Sequence, residues 1–400
     1  MVWRSLAQTM DTSLLRPPTQ QKTEIAWSRY GITLIGLLLT LGVAFWIGFV
    51  VGRGHAKEEE ITLPATRSSI PASTPSDRPV VIMTWLFSAE GSNASYNAMV
   101  EGVGAVDAVH AGVRVVEVTA NDPSVGYGSH PDVYGNVTQD AMIMDGETFN
   151  VGCVGALRGF RSPIDVARVV MDNTDHSLLV GQGAADLAAA AGLTPNSTET
   201  PNSEAAWRKW VDDGMVPFYA HPPSLANAIM AVGGFNYTVQ GPNERRERGG
   251  DRRISPDNHD TVGAVVLDKQ GKMACAVSTN GMNHKLHGRV GDAPLPGSGC
   301  WVDQEVGGAA GTGDGDLMLR FVPSFAAVSL MRSGHSVQDA CNLALAPIYA
   351  AFGNTTSASL VCLGRDGTVA VANIGNVGWG FSYSYRTPHT PGVVVVRNVL

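Results

Sequence analysis

The chain has 400 residues, 28 basic and 36 acidic, giving a formal net charge of −8 with only 16% charged side chains. A negative balance with so few charges excludes a nucleic-acid binder, whose footprint is a basic patch, and 44% apolar residues exclude a disordered chain. Glycine is in excess at 46 residues, a composition that costs folding entropy unless the backbone needs it.

Residues 1–29 carry Arg4, Arg16, Lys22 and Arg29, and read as a cytosolic tail. Tyr30–Gly52 then runs without a charge, and a bilayer-spanning helix needs ~20 such residues. Trp27 and Tyr30 flank one end, and Trp46 and Phe49 lie at the other, as in an aromatic belt. The basic bias ahead of this segment predicts a signal anchor over 30–52 with the rest of the chain across the membrane. A signal peptide cut after Gly54-His55-Ala56 is the rival reading, and both send the body of the chain into the secretory lumen. A lumenal address agrees with five glycosylation sequons, at Asn93, Asn136, Asn196, Asn236 and Asn354. The five cysteines, 153, 275, 300, 341 and 362, form no CxxC pair, which disfavours zinc and thioredoxin-type chemistry. An odd count leaves at least one thiol unpaired.

Residues 53–79 read as a Pro/Ser/Thr stalk, with Pro64, Pro71, Pro75 and Pro79 among serines and threonines. The globular part starts with a predicted strand over 80–85 and an Ala/Val-rich helix over about 92–110. Ser162-Pro163 begins a second helix, with serine as cap and proline at the first helical position. A third runs over about 183–191 and stops at Gly192. Residues 194–260 are mostly polar and end in a run with five arginines and four acids between 244 and 257; the whole stretch reads as a solvated loop. Strands over 261–267 and 273–279 flank Asp268-Lys269-Gln270-Gly271 as a hairpin. Helices are expected over 323–332 and 336–352, paired strands over 358–364 and 368–374, and a last strand over 392–399. Strands in both halves with several helices predict layers of helix on sheet.

Nine of the glycines fall between Gly288 and Gly315. The run lacks the G-x-G-x-x-G spacing of a dinucleotide loop, the lysine of a phosphate loop, and the alternating ligands of a calcium loop. What remains is backbone lining a tight pocket, where main-chain N–H groups meet a ligand. Within it, Arg289 and Asp292 stand three apart. A guanidinium grips a carboxylate with two hydrogen bonds, and an aspartate holds an ammonium. Together they either read the backbone end of a free amino acid or pair with each other.

His259-Asp260-Thr261-Val262-Gly263, Ser278-Thr279-Asn280-Gly281, Gly288-Arg289-Val290-Gly291-Asp292 with Pro294-Leu295-Pro296-Gly297, and Thr312-Gly313-Asp314-Gly315-Asp316 resemble the blocks of the glycosylasparaginase (aspartylglucosaminidase) family of N-terminal nucleophile hydrolases. Thr84-Trp85, Val125-Gly126-Tyr127-Gly128 and Asp140 to Gly146 match upstream. The resemblance implies an α/β fold, a four-layer αββα sandwich, here preceded by one membrane helix. It implies that the precursor cuts itself between Asp260 and Thr261, leaving residues 80–260 as an α subunit and 261–400 as a β subunit. A threonine hydroxyl is a poor nucleophile without a base, and a freed Thr261 α-amine, with a pKa of ~7.7–8, supplies one.

The implied roles follow residue by residue. Thr261 attacks the side-chain amide of an asparagine bearing a sugar, and Thr279 positions the amine. Arg289 and Asp292 bind the substrate's α-carboxylate and α-ammonium. Thr312 and the Gly313 N–H form the oxyanion hole, and Trp85 lies near the sugar. The implied reaction is hydrolysis of the N-acetylglucosamine–asparagine bond to L-aspartate and a glycosylamine, in glycoprotein degradation along the secretory and lysosomal pathway. Neither metal nor cofactor is implied, and the implied assembly is a dimer of αβ heterodimers. Cys341 and Cys362 fall where the family has a disulfide, whose loop closure adds ~3 kcal/mol; Cys153, Cys275 and Cys300 then read as buried thiols.

Some residues depart from the pattern. His130 stands where the family often has a serine close to the nucleophile's amine, an early cysteine pair is missing, and a membrane span is unusual. An L-asparaginase or isoaspartyl (β-aspartyl) peptidase of the same fold is the alternative activity, although the His-Asp before Thr261 and the Trp85 and TGDGD features favour the glycosylated substrate. A membrane-anchored binding protein with decayed machinery is opposed by the intact set of Thr261, Thr279, Arg289, Asp292 and Gly313.

Overall fold

A computed structural model describes residues 77–119, 122–213, 223–234, 261–375 and 380–399. The chain divides into two units, Met1–Thr66 and Arg67–Leu400, and every described residue lies in the second. The expected tail, membrane span and most of the stalk, together with Asn236 and Asp260, lie outside the described residues. Among the described residues no helix is long and apolar enough to cross a membrane.

The twelve described strands are β1 (Val80–Thr84), β2 (Gln139–Asp145), β3 (Val151–Leu157), β4 (Leu178–Val180), β5 (Val262–Leu267), β6 (Met273–Thr279), β7 (Cys300–Asp303), β8 (Gly307–Gly313), β9 (Ala358–Gly364), β10 (Val369–Ile374), β11 (Phe381–Arg386) and β12 (Val394–Val399). They form an eight-stranded sheet ordered β12-β11-β1-β5-β6-β2-β3-β4 and a four-stranded sheet ordered β10-β9-β8-β7. β1, β2, β5 and β6 are buried along nearly their whole length. They read as continuous apolar runs because both faces of the large sheet are covered.

One face carries α1 (Ala89–Val100), α2 (Ala105–Val118), α3 (Pro163–Asn173) and α4 (Gly181–Ala190). In α2 the buried Ala105, Ala108, Val109, Gly112, Val113 and Val116 recur at three- and four-residue spacing, the stripe of a helix lying on a sheet. The small sheet covers the other face; Val265, Cys275, Val277, Cys300, Val302 and Ala310 fill the space between the sheets. Beyond the small sheet lie α8 (Pro323–Arg332) and α9 (Val337–Phe352), whose Val328, Met331, Ala344 and Ile348 meet Leu360 and Cys362 of β9. Three cores thus separate helix, sheet, sheet and helix layers, in agreement with the αββα expectation.

The structure corrects several sequence expectations. The single helix over 92–110 is two helices, because the chain turns at Gly102, where φ is +97°. The stretch over 194–260 is not all loop: α5 (Pro201–Asp212) and α6 (Pro223–Val232) lie within it. Thr200 caps α5 by accepting from Ser203 N at 3.1 Å, while Ser203 Oγ accepts from Thr200 N at 2.8 Å. Trp207 and Trp210 of α5 and Ile229 and Met230 of α6 then pack on Val133 and Tyr134. Ser162 does not cap α3 with its own side chain. It donates instead to Glu117 Oε2 at 2.5 Å, and Glu117 Oε1 accepts the Ile164 N–H at 3.0 Å, so a carboxyl from α2 caps the helix.

Cys341 and Cys362, the pair the resemblance joins as a disulfide, are both buried and stand as thiols, as do Cys153, Cys275 and Cys300. Cys341 on α9 faces Cys362 on β9 in the helix–sheet core, and its Sγ reaches the Leu360 carbonyl at 3.7 Å. There the pair packs as small hydrophobes with a backbone acceptor at hand. Of the sequons, Asn93, Asn196 and Asn354 are exposed, whereas Asn136 is half-buried and accepts from Arg158 Nη2 at 2.6 Å.

Candidate active site

Thr261 heads β5, buried at 6% exposure. The β5–β6 register pairs Val262 with Ser278, so one residue further on Thr261 stands opposite Thr279 at the end of β6. On its other side Thr84 ends β1. Thr84 Oγ1 donates to the Thr261 carbonyl at 2.6 Å and accepts from Gly263 N at 2.8 Å. A single hydroxyl therefore holds the backbone on both sides of Val262.

Thr279 Oγ1 accepts from Gly281 N at 2.9 Å and reaches toward the Ser124 carbonyl at 3.5 Å. The same carbonyl accepts Asn280 N at 2.7 Å. Asn280 Nδ2 donates to the His130 carbonyl, which ties the 124–130 loop to the end of β6. The departure at His130 thus lies in a loop anchored one residue beyond Thr279. Its ring faces that of His284 with centroids 6.4 Å apart, and Trp210 stacks on His284 at 4.3 Å. Burial, reinforced by His130, pulls the His284 imidazole down to about 4.

Next to Trp85 stands the far end of β8. Trp85 Nε1 donates to Thr312 Oγ1 at 3.0 Å, and the indole meets Phe381 edge-on at 5.0 Å. Accepting from the indole leaves the Thr312 hydroxyl proton to donate elsewhere. Asp314 and Asp316, the alternating acids of the glycine run, have structural partners. Asp314 Oδ1 caps α7 (Gly315–Phe321) through Leu317 N at 3.3 Å, and Asp316 Oδ1 accepts from Arg289 Nε at 3.3 Å.

Arg289 lies in a slot built from glycine. A Cβ on Gly281 would stand 2.5 Å from Nη1, one on Gly291 2.8 Å from Nη1, and one on Gly315 2.9 Å from Nη2. Burial opposes the charge, but Asp316 and Asp140 outweigh it and hold the guanidinium above its ordinary value. Of the two readings of Arg289 and Asp292, mutual pairing does not hold: the ion pair of Arg289 is with Asp316. Asp292 is 3% exposed, and its Oδ2 has no hydrogen-bond partner among the described residues. Burial pushes its carboxyl up to about 6, against the pull of Arg289. A buried carboxylate oxygen with no partner is costly in the absence of a cationic ligand. A cavity of about 360 Å³ opens beside Arg289 and Asp316, lined also by Met282, Lys285 and His287.

Thr261, Thr279, Thr312, Gly313, Arg289, Asp292 and Trp85 thus come from β1, β5, β6, β8 and the 280–292 segment to one end of the two sheets. Several contributors were not read from the sequence. Thr84 carries no sequence signal beyond its place in the Thr84-Trp85 match. Lys285, 1% exposed, donates to the Thr138 carbonyl at 3.0 Å and to the Asn280 carbonyl, and burial pulls its amine down to about 8. A lysine between His284 and Leu286 in a polar stretch gives no sequence signal of burial.

Comparison with known proteins agrees with this geometry. Residues 68–386 match the family model described as asparaginase. The chain is 36% identical over 314 residues to the N(4)-(beta-N-acetylglucosaminyl)-L-asparaginase of Mus musculus, covering 78% of this chain and 86% of that one. It is also 36% identical over 269 residues to a protein of the same name from Elizabethkingia miricola, covering 67% and 69%. An Arabidopsis thaliana relative named "Probable isoaspartyl peptidase/L-asparaginase 3" is 36% identical over 326 residues, covering 79% and 89%. With a buried threonine heading β5 and an arginine–aspartate pair in a glycine-lined slot on the matched segment, this chain belongs to the asparaginase family of hydrolases.

Proposed function

We propose that the protein is an N(4)-(beta-N-acetylglucosaminyl)-L-asparaginase, activated by cleavage between Asp260 and Thr261. The observation that carries this reading is the placement of Thr261 at the head of β5, its carbonyl held by Thr84, opposite Thr279 and at the same end as Arg289 and Asp292. The names of the mouse and bacterial relatives support the glycosylated substrate.

In this mechanism Arg289 grips the substrate's α-carboxylate, and the unpartnered Asp292 Oδ2 accepts its α-ammonium. The side-chain amide is thereby presented to Thr261. The free α-amine takes the Thr261 hydroxyl proton as Oγ attacks the amide carbon. Charge then develops on the carbonyl oxygen. The Thr312 O–H, already accepting from Trp85, and the Gly313 N–H stabilise it; one such donor is worth ~10²–10³ in rate. The amine returns the proton to the leaving nitrogen, releasing a glycosylamine, and water hydrolyses the threonine ester to free L-aspartate.

Self-cleavage need not separate the two parts. In the large sheet β1, β2, β3 and β4 precede the cut, and β12, β11, β5 and β6 follow it. β1 lies between β11 and β5, so each part pairs with the other inside one sheet. The same proposal includes an N-terminal span over 30–52, a lumenal catalytic part in the secretory and lysosomal pathway, glycans on the exposed sequons, and a dimer of αβ units.

Denaturing electrophoresis with terminal sequencing of the purified protein tests the activation: two bands, one beginning at Thr261, are expected, and a single uncut band overturns it. Release of aspartate is then compared for N-acetylglucosaminyl-asparagine and for β-aspartyl dipeptides. A preference for the dipeptides would assign the protein instead to the activity named for the Arabidopsis relative.

A further inference from the structure

Two cysteines meet in the layer between the sheets. Cys275 lies on β6 and Cys300 opens β7; both are fully buried, and their sulfurs stand 2.7 Å apart. Non-bonded carbon atoms settle at about 3.5–4.0 Å, and sulfur is larger. The two sulfurs are therefore closer than packing alone would bring them. Their neighbours are apolar, among them Val265, Val277, Val302 and Ala310. Cys341 and Cys362 meet in the other core, between the small sheet and its helices, where Cys341 also reaches the Leu360 carbonyl. Cys153 lies in the same core, but it sits across β2, on β3.

The position of the pair gives it a role. Between Cys275 and Cys300 the chain runs through Thr279, Asn280, Lys285, Arg289 and Asp292. β6 belongs to the eight-stranded sheet and β7 to the four-stranded one. A bond between the two sulfurs would close this segment at its base and fasten the sheets to each other beneath the site.

We propose that Cys275 and Cys300 form a disulfide in the mature protein, stapling the segment that carries Thr279, Arg289 and Asp292 between the two sheets. Each thiol gives up a proton and an electron as the S–S bond forms. The acceptor is a disulfide, either of a folding oxidoreductase or of oxidised glutathione. Its own S–S bond is broken through a mixed disulfide and leaves as two thiols. Burial holds the Cys300 thiol well above its ordinary range, so exchange takes place before β7 closes over β6, while a thiolate can still form. This reading revises the expectation of buried, unpaired thiols at Cys275 and Cys300 and does not depend on the substrate assigned above.

The test uses the full chain, unfolded, refolded in a glutathione redox buffer and then alkylated under denaturing conditions without reductant. Peptide mapping is expected to find the Cys275 and Cys300 peptides linked to each other, with Cys153 carrying the alkyl group. The same link is expected to survive in Cys153→Ala. Alkyl groups on both Cys275 and Cys300, or a link that joins either of them to Cys153 and disappears in Cys153→Ala, would overturn the proposal.

Discussion

The Thr84 hydroxyl donates to the carbonyl of Thr261 while accepting from the N–H of Gly263, so a residue of β1 fixes the first turn of backbone behind the proposed nucleophile. This contact joins the two parts of the chain that self-cleavage would separate. Replacing Thr84 by Val keeps the β-branched shape and leaves one buried carbonyl and one buried N–H unpaired. Each such loss costs about 1–3 kcal/mol. Misplacement of a reacting group by ~1 Å can cost ~10²-fold in rate. In Thr84→Val, kcat is expected to fall on the order of 10²-fold, with cleavage slowed on a denaturing gel. Thr84→Ser, which retains the hydroxyl, should recover most of the loss; equal defects in the two variants would mean that the methyl group, not the hydrogen bond, matters.

The glycine slot around Arg289 makes a separate prediction. Gly281 has φ +77°, and a Cβ there would sit 2.5 Å from Nη1. Gly281→Ala is expected to displace the guanidinium and weaken its grip on the substrate carboxylate. A charge-assisted hydrogen bond is worth about 1.5–3 kcal/mol, so KM should rise roughly 10- to 100-fold with a smaller change in kcat. Gly104→Ala is the control, because a Cβ there meets nothing within 4 Å. Michaelis kinetics on the two variants decides the matter: an unchanged KM in Gly281→Ala removes Arg289 from substrate binding.

Asp292 makes binding depend on pH. With its carboxyl at about 6, it is neutral in the unliganded protein below that pH and cannot accept an ammonium. The product L-aspartate keeps its ammonium through this range. Its inhibition constant is expected to be flat above pH 7 and to rise about tenfold per unit below 6. In Asp292→Asn binding should be weaker throughout and the break near 6 should vanish. A break that persists in the variant would assign the titration to another group.

The hairpin β5–β6, the paired strands β9 and β10, and the helices α3, α4, α8 and α9 were legible because their signals are local. They are alternation or apolar runs next to turn residues, and a proline or serine at a helix start. The break between α1 and α2 was missed because Ala and Val continue on both sides of Gly102. α5 was missed because most of it is polar, and α6 because its ten residues are a short apolar run inside a Pro- and Asn-rich stretch; Trp207, Trp210, Ile229 and Met230 acquire a core only when they meet Val133 and Tyr134. The site divides in the same way. Arg289 and Asp292 stand in one glycine-rich block and could be read together, although their partners could not: Asp316 claims Arg289, while Asp292 keeps an oxygen for a ligand. Thr84, Lys285 and Glu117 act through contacts between distant segments, which no spacing in the sequence encodes.

Glu117 shows how such a contact affects stability. It is fully buried on α2, accepts from Ser162 Oγ and Ile164 N, and burial pushes its carboxyl from 4.5 up to about 8 despite those hydrogen bonds. Between these two values the folded chain holds a proton that the unfolded chain has lost. The stabilisation is therefore complete below pH 4.5 and is lost as pH rises toward 8. The loss is about 1.4 kcal/mol per pH unit for this group. Glu117→Gln removes the titration while keeping a neutral side chain of the same shape on the α3 N-terminus. Urea unfolding from pH 5 to 9, in a Thr261→Ala background that keeps the chain uncut, measures the difference between the two proteins. Near pH 5 they should be similar; by pH 8 the Gln variant should be the more stable, by on the order of 3–5 kcal/mol. Parallel stability curves would mean that Glu117 is ionised in the folded protein, and its capping of α3 would then be that of a charged carboxylate.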